Sequence, residues 1–366
     1  MMLRDTIKRS YLTSLAMRTS FRDTAQGSSG LPLKLYVPSS SSLTTLVPNV
    51  YPTFHSTRLF SSSFQPAPPP GTHGTPVFPD IDFSVADDPA SEGWKRRNDP
   101  NAVFVVTGAS RGIGLQFVKT LLDQSQGTVV ACCRSPEKAN ALMELGASMQ
   151  QPHRLQVVEL DLEDQDSIQS ASNIIRDEHD HVDLLLNVAG LLGDSKTTPG
   201  PERSLSKMDR GWFEKTLAVN LIGPVMLSKE LAPLITQQRR RTSVDKSRSV
   251  DSSQRPVAVI ANLSARVGSI SDNALGGWYS YRISKSALNQ ATRTMALEMK
   301  RQSAWCVSLH PGTTNTDLSK PFQSNVREGS LFPVDFTVNQ LLKVIDSLTD
   351  DHSGGFYDWS GQSISF

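Results

Sequence analysis

The chain has 366 residues, of which 38% are apolar and 20% are charged, so it is long enough to bury a full hydrophobic core. Its formal net charge of +1 excludes a global electrostatic field that would recruit nucleic acid, an anionic membrane or acidic substrates. No uninterrupted apolar run approaches the ~20 residues that a membrane helix needs, so a soluble protein with small neutral partners is expected.

Residues 1–79 differ in composition from the rest of the chain. They hold seven basic side chains, two acids, many serines and a proline cluster at residues 66–70, a composition that cannot pack a core. Basic, serine-rich and acid-poor segments are typical of transit peptides, and residues 58–62 look like the end of a mitochondrial presequence. A mitochondrial location is therefore expected, with a plastid address, a cytoplasmic location or a merely disordered tail as alternatives. Residues 80–100 are interpreted as a linker.

From residue 101 to residue 366, short apolar runs alternate with longer amphipathic segments. This pattern predicts βαβ units in one doubly wound α/β domain with a seven-stranded, mostly parallel sheet. The strands are predicted near 102–107, 128–133, 155–160, 183–188, 257–262, 305–309 and 355–358. The helices are predicted near 113–124, 136–145, 166–178, 211–236, 279–300 and 334–348.

The first predicted strand runs directly into a glycine-containing turn that opens a helix. This placement lets the backbone approach a pyrophosphate and directs helix N-terminal amides at its charge. The turn therefore predicts a dinucleotide site, whose candidate cofactor-binding residues are Gly108, Ser110, Arg111, Gly112, Ile113 and Gly114.

The residues after the second and third strands bear on which dinucleotide is bound. An NAD site commonly has an acid about twenty residues beyond the glycine turn, where this chain has Arg134. An arginine can neutralise a 2′-phosphate, and Arg111 offers a second cation, so NADP(H) is favoured over NAD(H). Asp161 and Leu162, after the third strand, are placed near the adenine.

The three cysteines are Cys132, Cys133 and Cys306, and the first two are neighbours in an apolar run. This spacing suits neither a disulfide framework nor a zinc site, so we expect buried, reduced, structural thiols and no metal centre. Residues 238–255 carry six basic and two acidic side chains and are interpreted as a solvated insertion loop. A nucleic-acid patch is the alternative, but the segment lacks interleaved aromatic residues.

A tyrosine and a lysine, Tyr281 and Lys285, lie four residues apart at the start of a predicted helix and so share one face. A phenol has an unperturbed pKa of about 10, and a nearby ammonium together with the positive end of a dinucleotide would lower it for acid/base catalysis. The pair predicts proton transfer coupled to hydride transfer. Tyr279 is not a candidate, because its fourth successor is Ile283.

With these motifs in order, residues 101–366 resemble a classical short-chain dehydrogenase/reductase with a Rossmann fold, in particular the C-factor and sniffer-type carbonyl reductases. The resemblance assigns Tyr281 and Lys285 to catalysis and Asn220 to a water relay. It implies a homodimer or homotetramer packed through long helices such as 211–236. It adds further cofactor-binding residues, namely Asn187, Ala189, Gly190, Pro311, Gly312, Thr313 and Thr316.

The chain departs from the family pattern at two places. Val188 stands where a second asparagine is usual. The family also has two adjacent serines after the fifth strand and uses the second to orient the substrate oxygen, whereas this chain has Ser264 followed by Ala265. Ser264 is therefore the candidate for that role, with Ser269 as a weaker one; if neither hydroxyl reaches the substrate, the rate should be lower by ~10²–10³.

The function expected from these features is NADP(H)-dependent reduction of a ketone or aldehyde to an alcohol. The small-molecule carbonyl substrate should lie among residues 191–210, the loop through Trp278, and residues 317–333. Two alternatives remain. One is a non-catalytic, dinucleotide-binding, redox-responsive protein, and the other is an alcohol dehydrogenase working in the oxidative direction.

Overall fold

The structure is a computed structural model that describes residues 77–236, 255–302 and 304–366. The transit peptide predicted over residues 1–79 therefore lies almost entirely outside the described residues, as does the insertion loop predicted over 238–255, except for Arg255.

A seven-stranded parallel sheet with the strand order β3-β2-β1-β4-β5-β6-β9 forms the centre of the domain. A parallel sheet is covered on both faces, and β1 and β4 are accordingly buried apolar runs. The predicted doubly wound fold is confirmed. Among the described residues the nine strands are β1 (Val103–Thr107), β2 (Thr128–Cys133), β3 (Leu155–Glu159), β4 (Leu184–Asn187), β5 (Ala258–Leu263), β6 (Ala304–His310), β7 (Thr313–Thr314), β8 (Leu331–Phe332) and β9 (Phe356–Asp358).

The short strands β7 and β8 form a separate two-stranded ladder that the sequence did not predict. Helices cover the main sheet on both faces, and two groups of buried apolar side chains form the cores beneath them. The helices are α1 (Glu92–Asn98), α2 (Gly112–Gln124), α3 (Asn140–Ser148), α4 (Gln165–Glu178), α5 (Arg210–Leu217), α6 (Gly223–Thr236), α7 (Tyr279–Met299) and α8 (Val334–Asp346).

The interpretation of residues 80–100 as a linker is wrong. This segment contains a 3-10 turn and α1, and the side chain of Arg96 on α1 is only 1% exposed. Arg96 donates to the Ile345 carbonyl and to the Asp346 carboxylate, both at 3.3 Å. A buried arginine needs such partners, and they join the segment to the end of α8 as part of the domain. The short polar run Lys95-Arg96-Arg97 gave no sign in the sequence that one of its charges would be buried.

The helix predicted over 211–236 is interrupted by a π-helical turn over Ala218–Ile222, which separates α5 from α6. Within the described residues, Arg210–Thr236 is the one helical run long and apolar enough to cross a membrane on length and composition alone. Its apolar residues Leu227, Leu231 and Leu234 are buried in the core beside the sheet. The run therefore serves as a core helix of this domain.

All three cysteines are free and buried, as expected. Burial raises the pKa of the Cys132 and Cys306 thiols to about 12, so both stay protonated and unreactive near neutral pH.

Candidate active site

A cleft of about 560 Å³ opens at the carboxyl ends of β1 and β4, where the strand order reverses direction. This is the position at which doubly wound sheets bind their ligands. Fifteen of the residues predicted to bind the cofactor line it: Gly108, Ser110, Arg111, Gly112, Ile113, Gly114, Arg134, Asp161, Leu162, Ala189, Gly190, Tyr281, Lys285, Pro311 and Thr316.

The glycine turn is shaped so that only glycine fits at two of its positions. Gly108 has a φ of +67°, and a Cβ there would lie 2.9 Å from the Ala189 Cα. A Cβ on Gly114 would lie 2.3 Å from the Gly108 carbonyl oxygen. Because α2 begins at Gly112, its free N-terminal amides face the cleft. The turn therefore fits a dinucleotide pyrophosphate, which needs close backbone approach and amide donors.

Both predicted cofactor arginines lie in the cleft, and each faces an acid that the sequence analysis did not single out. Arg134 lies 3.6 Å from Glu163, and Arg111 lies 3.4 Å from Asp317 on the opposite wall. Lys215 also lies 3.3 Å from Glu163. These pairs are exposed enough to exchange partners at low cost, so the arginines remain available to a phosphate.

Three residues that the resemblance assigned to the cofactor are not among the described residues that line the cleft. The Asn187 side chain is buried and donates to Asn262 at 2.8 Å, so it cross-links β4 and β5 instead of facing the cleft. Thr313 pairs with Leu331 in the small ladder. Gly312 packs so closely beneath Phe332 that a Cβ would lie 2.7 Å from the ring, which leaves only its backbone free to shape the site.

The candidate catalytic pair, Tyr281 and Lys285, lies at the start of α7 and lines the cleft. The Lys285 ammonium lies 5.7 Å from the centre of the Tyr281 ring and donates to the Leu263 carbonyl at 2.7 Å. Burial raises the pKa of Tyr281 to about 12 and lowers the pKa of Lys285 to about 8. The expectation of a lowered tyrosine pKa is therefore not met by the protein alone, because removal of water from the phenol outweighs the effect of the ammonium.

Asn220 lies in the π-helical turn and connects three parts of the site. Its carbonyl oxygen accepts the Leu191 backbone N–H at 2.7 Å, and its amide donates to the Leu191 carbonyl at 2.8 Å and to the Ser284 hydroxyl at 3.1 Å. A Cβ on Gly190 would lie 3.6 Å from Asn220 Oδ1 and 3.9 Å from Lys285 Nζ. Gly190 therefore leaves the space between Asn220 and Lys285 open.

Ser264, the candidate for orienting the substrate oxygen, lines the cleft with Tyr281, but its hydroxyl is already bonded within the protein. Ser264 is 3% exposed and donates to Asn289 Oδ1 at 2.7 Å. Ser269, the second candidate, donates to the Ser365 carbonyl at 2.5 Å. A hydroxyl has one proton, so neither serine has one left to donate to a substrate oxygen. The sequence showed the hydroxyls but not their distant acceptors.

Apolar and aromatic side chains lie beside Tyr281. Leu191, Val219 and Leu318 line the cleft. Trp278 contacts the Tyr281 ring edge-on at a centroid distance of 6.3 Å and the Phe322 ring at 5.1 Å. These side chains form an apolar wall beside the Tyr281 phenol.

Comparison with known proteins identifies this arrangement. The family model described as short chain dehydrogenase matches residues 102–327. The chain belongs to the short chain dehydrogenase family. Family membership confirms the resemblance drawn from the glycine turn and the tyrosine–lysine pair.

The similarity to individual family members covers almost the whole length of each of them. The chain is 31% identical to an NADPH-bound carbonyl reductase from chicken fatty liver, over 73% of this chain and 99% of that one, with a TM-score of 0.61. It is 29% identical to the carbonyl reductase Sniffer of D. melanogaster over the same shares, with a TM-score of 0.60. It is also 30% identical to C-signal of Myxococcus xanthus, over 50% of this chain and 92% of that protein. The chain is thus an oxidoreductase of the short chain dehydrogenase type.

Proposed function

We propose that this protein reduces a ketone or aldehyde to an alcohol with NADPH. The observation that carries the proposal is that the Tyr281–Lys285 pair and the two arginines, Arg111 and Arg134, line one cleft with the glycine turn. The NADPH bound to the chicken carbonyl reductase, a protein 31% identical to this chain, supports the same cofactor here.

Tyr281 serves as the proton donor in this reaction. When bound, the cofactor would supply hydride to the carbonyl carbon. The Tyr281 hydroxyl donates its proton to the carbonyl oxygen, and Lys285 stabilises the phenolate that remains. With a pKa of about 12, Tyr281 is fully protonated near neutral pH, which is the form that reduction requires. Oxidation of an alcohol would need the phenolate instead, so near neutral pH the protein without cofactor holds Tyr281 in the form that reduction uses.

The substrate proposed for this site is an apolar carbonyl compound. Leu191, Leu318 and Trp278 offer apolar contact beside the catalytic phenol. Because such walls discriminate between substrates mainly by buried area, we expect kcat/KM to rise along a series of ketones with longer alkyl or aryl groups. A series in which kcat/KM falls with apolar size would contradict this substrate class.

Arg134 is expected to set the preference for NADPH. Replacing Arg134 by alanine should weaken NADPH binding by about tenfold, because it removes a charged hydrogen-bond donor to the 2′-phosphate. NADH binding should not change. Fluorescence titration of the full chain with both dinucleotides measures this.

Arg210→Ala is the matched control for Arg134→Ala, since Arg210 is an exposed arginine that pairs with Glu214 at 2.7 Å on the surface of α5. Equal losses of NADPH affinity in the two variants, or equal losses of NADPH and NADH affinity in Arg134→Ala, would contradict the assignment of Arg134.

The reaction should slow at alkaline pH because of Lys285. Burial lowers the pKa of this lysine to about 8, so it is charged below pH 8 and loses its charge above it. The ammonium stabilises the Tyr281 phenolate, so kcat/KM for reduction should be level in the acidic range and fall up to tenfold per unit above about pH 8. Lys285→Arg should lack this alkaline limb, because arginine stays charged. A rate that rises with pH would contradict the proposed direction of proton transfer.

A second candidate function is dinucleotide binding without turnover. One observation favours it: the Ser264 hydroxyl donates to Asn289 and the Ser269 hydroxyl donates to the Ser365 carbonyl, so neither donates to a substrate. Turnover of any carbonyl compound by the purified protein would exclude it.

We also propose a mitochondrial location, based on the basic, serine-rich composition of residues 1–79. Deleting this segment should leave a protein that no longer enters mitochondria on cell fractionation. An unchanged distribution would contradict the proposal.

A homodimer or homotetramer is proposed from the family resemblance, and sedimentation of the full chain would test it. A monomer at working concentration would contradict it.

A further inference from the structure

The first turn of α7, which carries Tyr281, is held by a residue from a distant loop. Glu202 is 1% exposed and lies 78 positions before Ser280 in the chain. One oxygen of its carboxylate accepts the Ser280 backbone N–H at 3.1 Å, and the other accepts the Ser280 hydroxyl. The Glu202 carbonyl oxygen also accepts the Trp278 N–H at 2.5 Å. Three hydrogen bonds therefore join Glu202 to the start of the catalytic helix.

The local sequence cannot provide an ordinary cap for this helix. The residue at the cap position is Trp278, whose indole has a hydrogen-bond donor but no acceptor for the amides of the first turn. Helices usually begin with serine, threonine, aspartate or asparagine at this position, because their side chains accept one of those amides. The Glu202 carboxylate takes this role from outside the helix, and its charge also complements the positive end of the helix dipole.

The backbone at the cap position is strained. Trp278 has φ 54° and ψ 42°, a left-handed conformation that is costly for a bulky side chain. Such conformations persist only where the surroundings fix them, and they concentrate at functional sites. The hydrogen bond to Glu202 and the ring contacts with Tyr281 and Phe322 are the contacts that fix Trp278 here.

We propose that Glu202 is a positioning residue for the catalytic tyrosine. By capping α7 through Ser280 and holding Trp278, it fixes the first turn and thus the place of the Tyr281 phenol relative to Lys285. Tyr281 directly follows Ser280, whereas Lys285 lies one turn further along, so loosening of the first turn displaces the phenol more than the ammonium. Glu202 also belongs to the predicted substrate segment 191–210, so the bonds couple that segment to the catalytic helix. This inference rests on the proposed reductase function.

The effect of losing Glu202 should appear in kcat. A displacement of ~1 Å of a reacting group can cost ~10²-fold in rate, so Glu202→Ala should lower kcat by roughly 10- to 100-fold. The affinity for NADPH should stay unchanged, because the glycine turn and the two cofactor arginines are untouched. Glu202→Gln keeps an oxygen that accepts the Ser280 N–H and should recover most of the lost rate. Glu202→Asp, one methylene shorter, should not.

Asp164→Ala is the matched control for loss of a helix cap. Asp164 caps α4 by accepting the Asp166 N–H at 3.0 Å, on a helix that carries no proposed catalytic residue. This variant should lose thermal stability as Glu202→Ala does while keeping its kcat. If both variants lose kcat in proportion to their loss of melting temperature, Glu202 has only a structural role and the proposal is overturned.

Amide hydrogen exchange provides a readout that does not need turnover. In Glu202→Ala, peptides that cover residues 276–287 should exchange at least about tenfold faster than in the wild type, with the rest of the domain unchanged. Wild-type exchange rates in this segment, or a wild-type kcat, would overturn the proposal. If the wild-type protein reduces no carbonyl compound, the proposed function fails, and the exchange measurement still decides whether Glu202 holds α7.

Discussion

Replacing Tyr281 by phenylalanine is expected to lower the turnover of carbonyl substrates by roughly 10²–10⁴-fold, the range that a well-placed general acid contributes. The substitution removes only the hydroxyl, which donates the proton to the substrate oxygen, and leaves the ring in contact with Trp278. Single-turnover oxidation of NADPH in the presence of a reactive ketone measures the loss. Titration with NADPH should give wild-type affinity.

Tyr279, two residues before Tyr281, provides a matched control. Tyr279→Phe makes the same chemical change in the same helical turn, but the fourth residue after Tyr279 is Ile283, so this phenol has no lysine partner. Turnover by Tyr279→Phe should be that of the wild type. A Tyr281→Phe variant with full activity, or equal losses in both variants, would show that another group donates the proton.

Ala265→Ser restores the second serine of the family pattern that this chain resembles, and it is expected to increase kcat by roughly 10- to 100-fold, since one donor to a developing oxyanion is worth ~10²–10³ in rate. Ser264 also lines the cleft, but its hydroxyl is bonded to Asn289. The backbone at Ala265 is extended, with φ −150° and ψ 146°, and extended backbone places successive side chains on opposite sides, so a serine at 265 would not compete for Asn289. Steady-state kinetics with one ketone at saturating NADPH measures the gain.

The companion variant Ser264→Ala separates the two serine positions. It leaves the buried Asn289 side chain without its 2.7 Å partner, so we expect a loss of about 1–2 kcal/mol in the free energy of unfolding and no gain in kcat. If Ser264→Ala abolishes turnover while Ala265→Ser changes nothing, Ser264 is the residue that orients the substrate oxygen, and its bond to Asn289 must break during the reaction.

The sequence predicted the features that depend on local patterns. Apolar runs and amphipathic segments predicted all seven strands of the main sheet and six helical segments, because burial on both faces of a parallel sheet leaves continuous apolar runs and the covering helices leave amphipathic ones. The glycine turn and the Tyr281–Lys285 spacing are likewise local, and the structure brings both to one cleft.

Features that depend on distant partners were not predictable. The burial of Arg96 depends on Asp346, 250 positions later in the chain, and the hydrogen bond of the Ser264 hydroxyl depends on Asn289, 25 positions later. The cap on α7 depends on Glu202, 78 positions from the amide that it accepts. In each case the residue type is unremarkable in the sequence, and its role follows only from the fold.

The central claim is tested most directly by incubating the purified full chain with NADPH and a panel of apolar ketones and aldehydes while following oxidation of the cofactor. We predict oxidation that requires a carbonyl substrate, yields the corresponding alcohol and is faster with NADPH than with NADH. Tight NADPH binding with no alcohol formed across the panel would contradict the claim and favour a protein that binds the dinucleotide without catalysis.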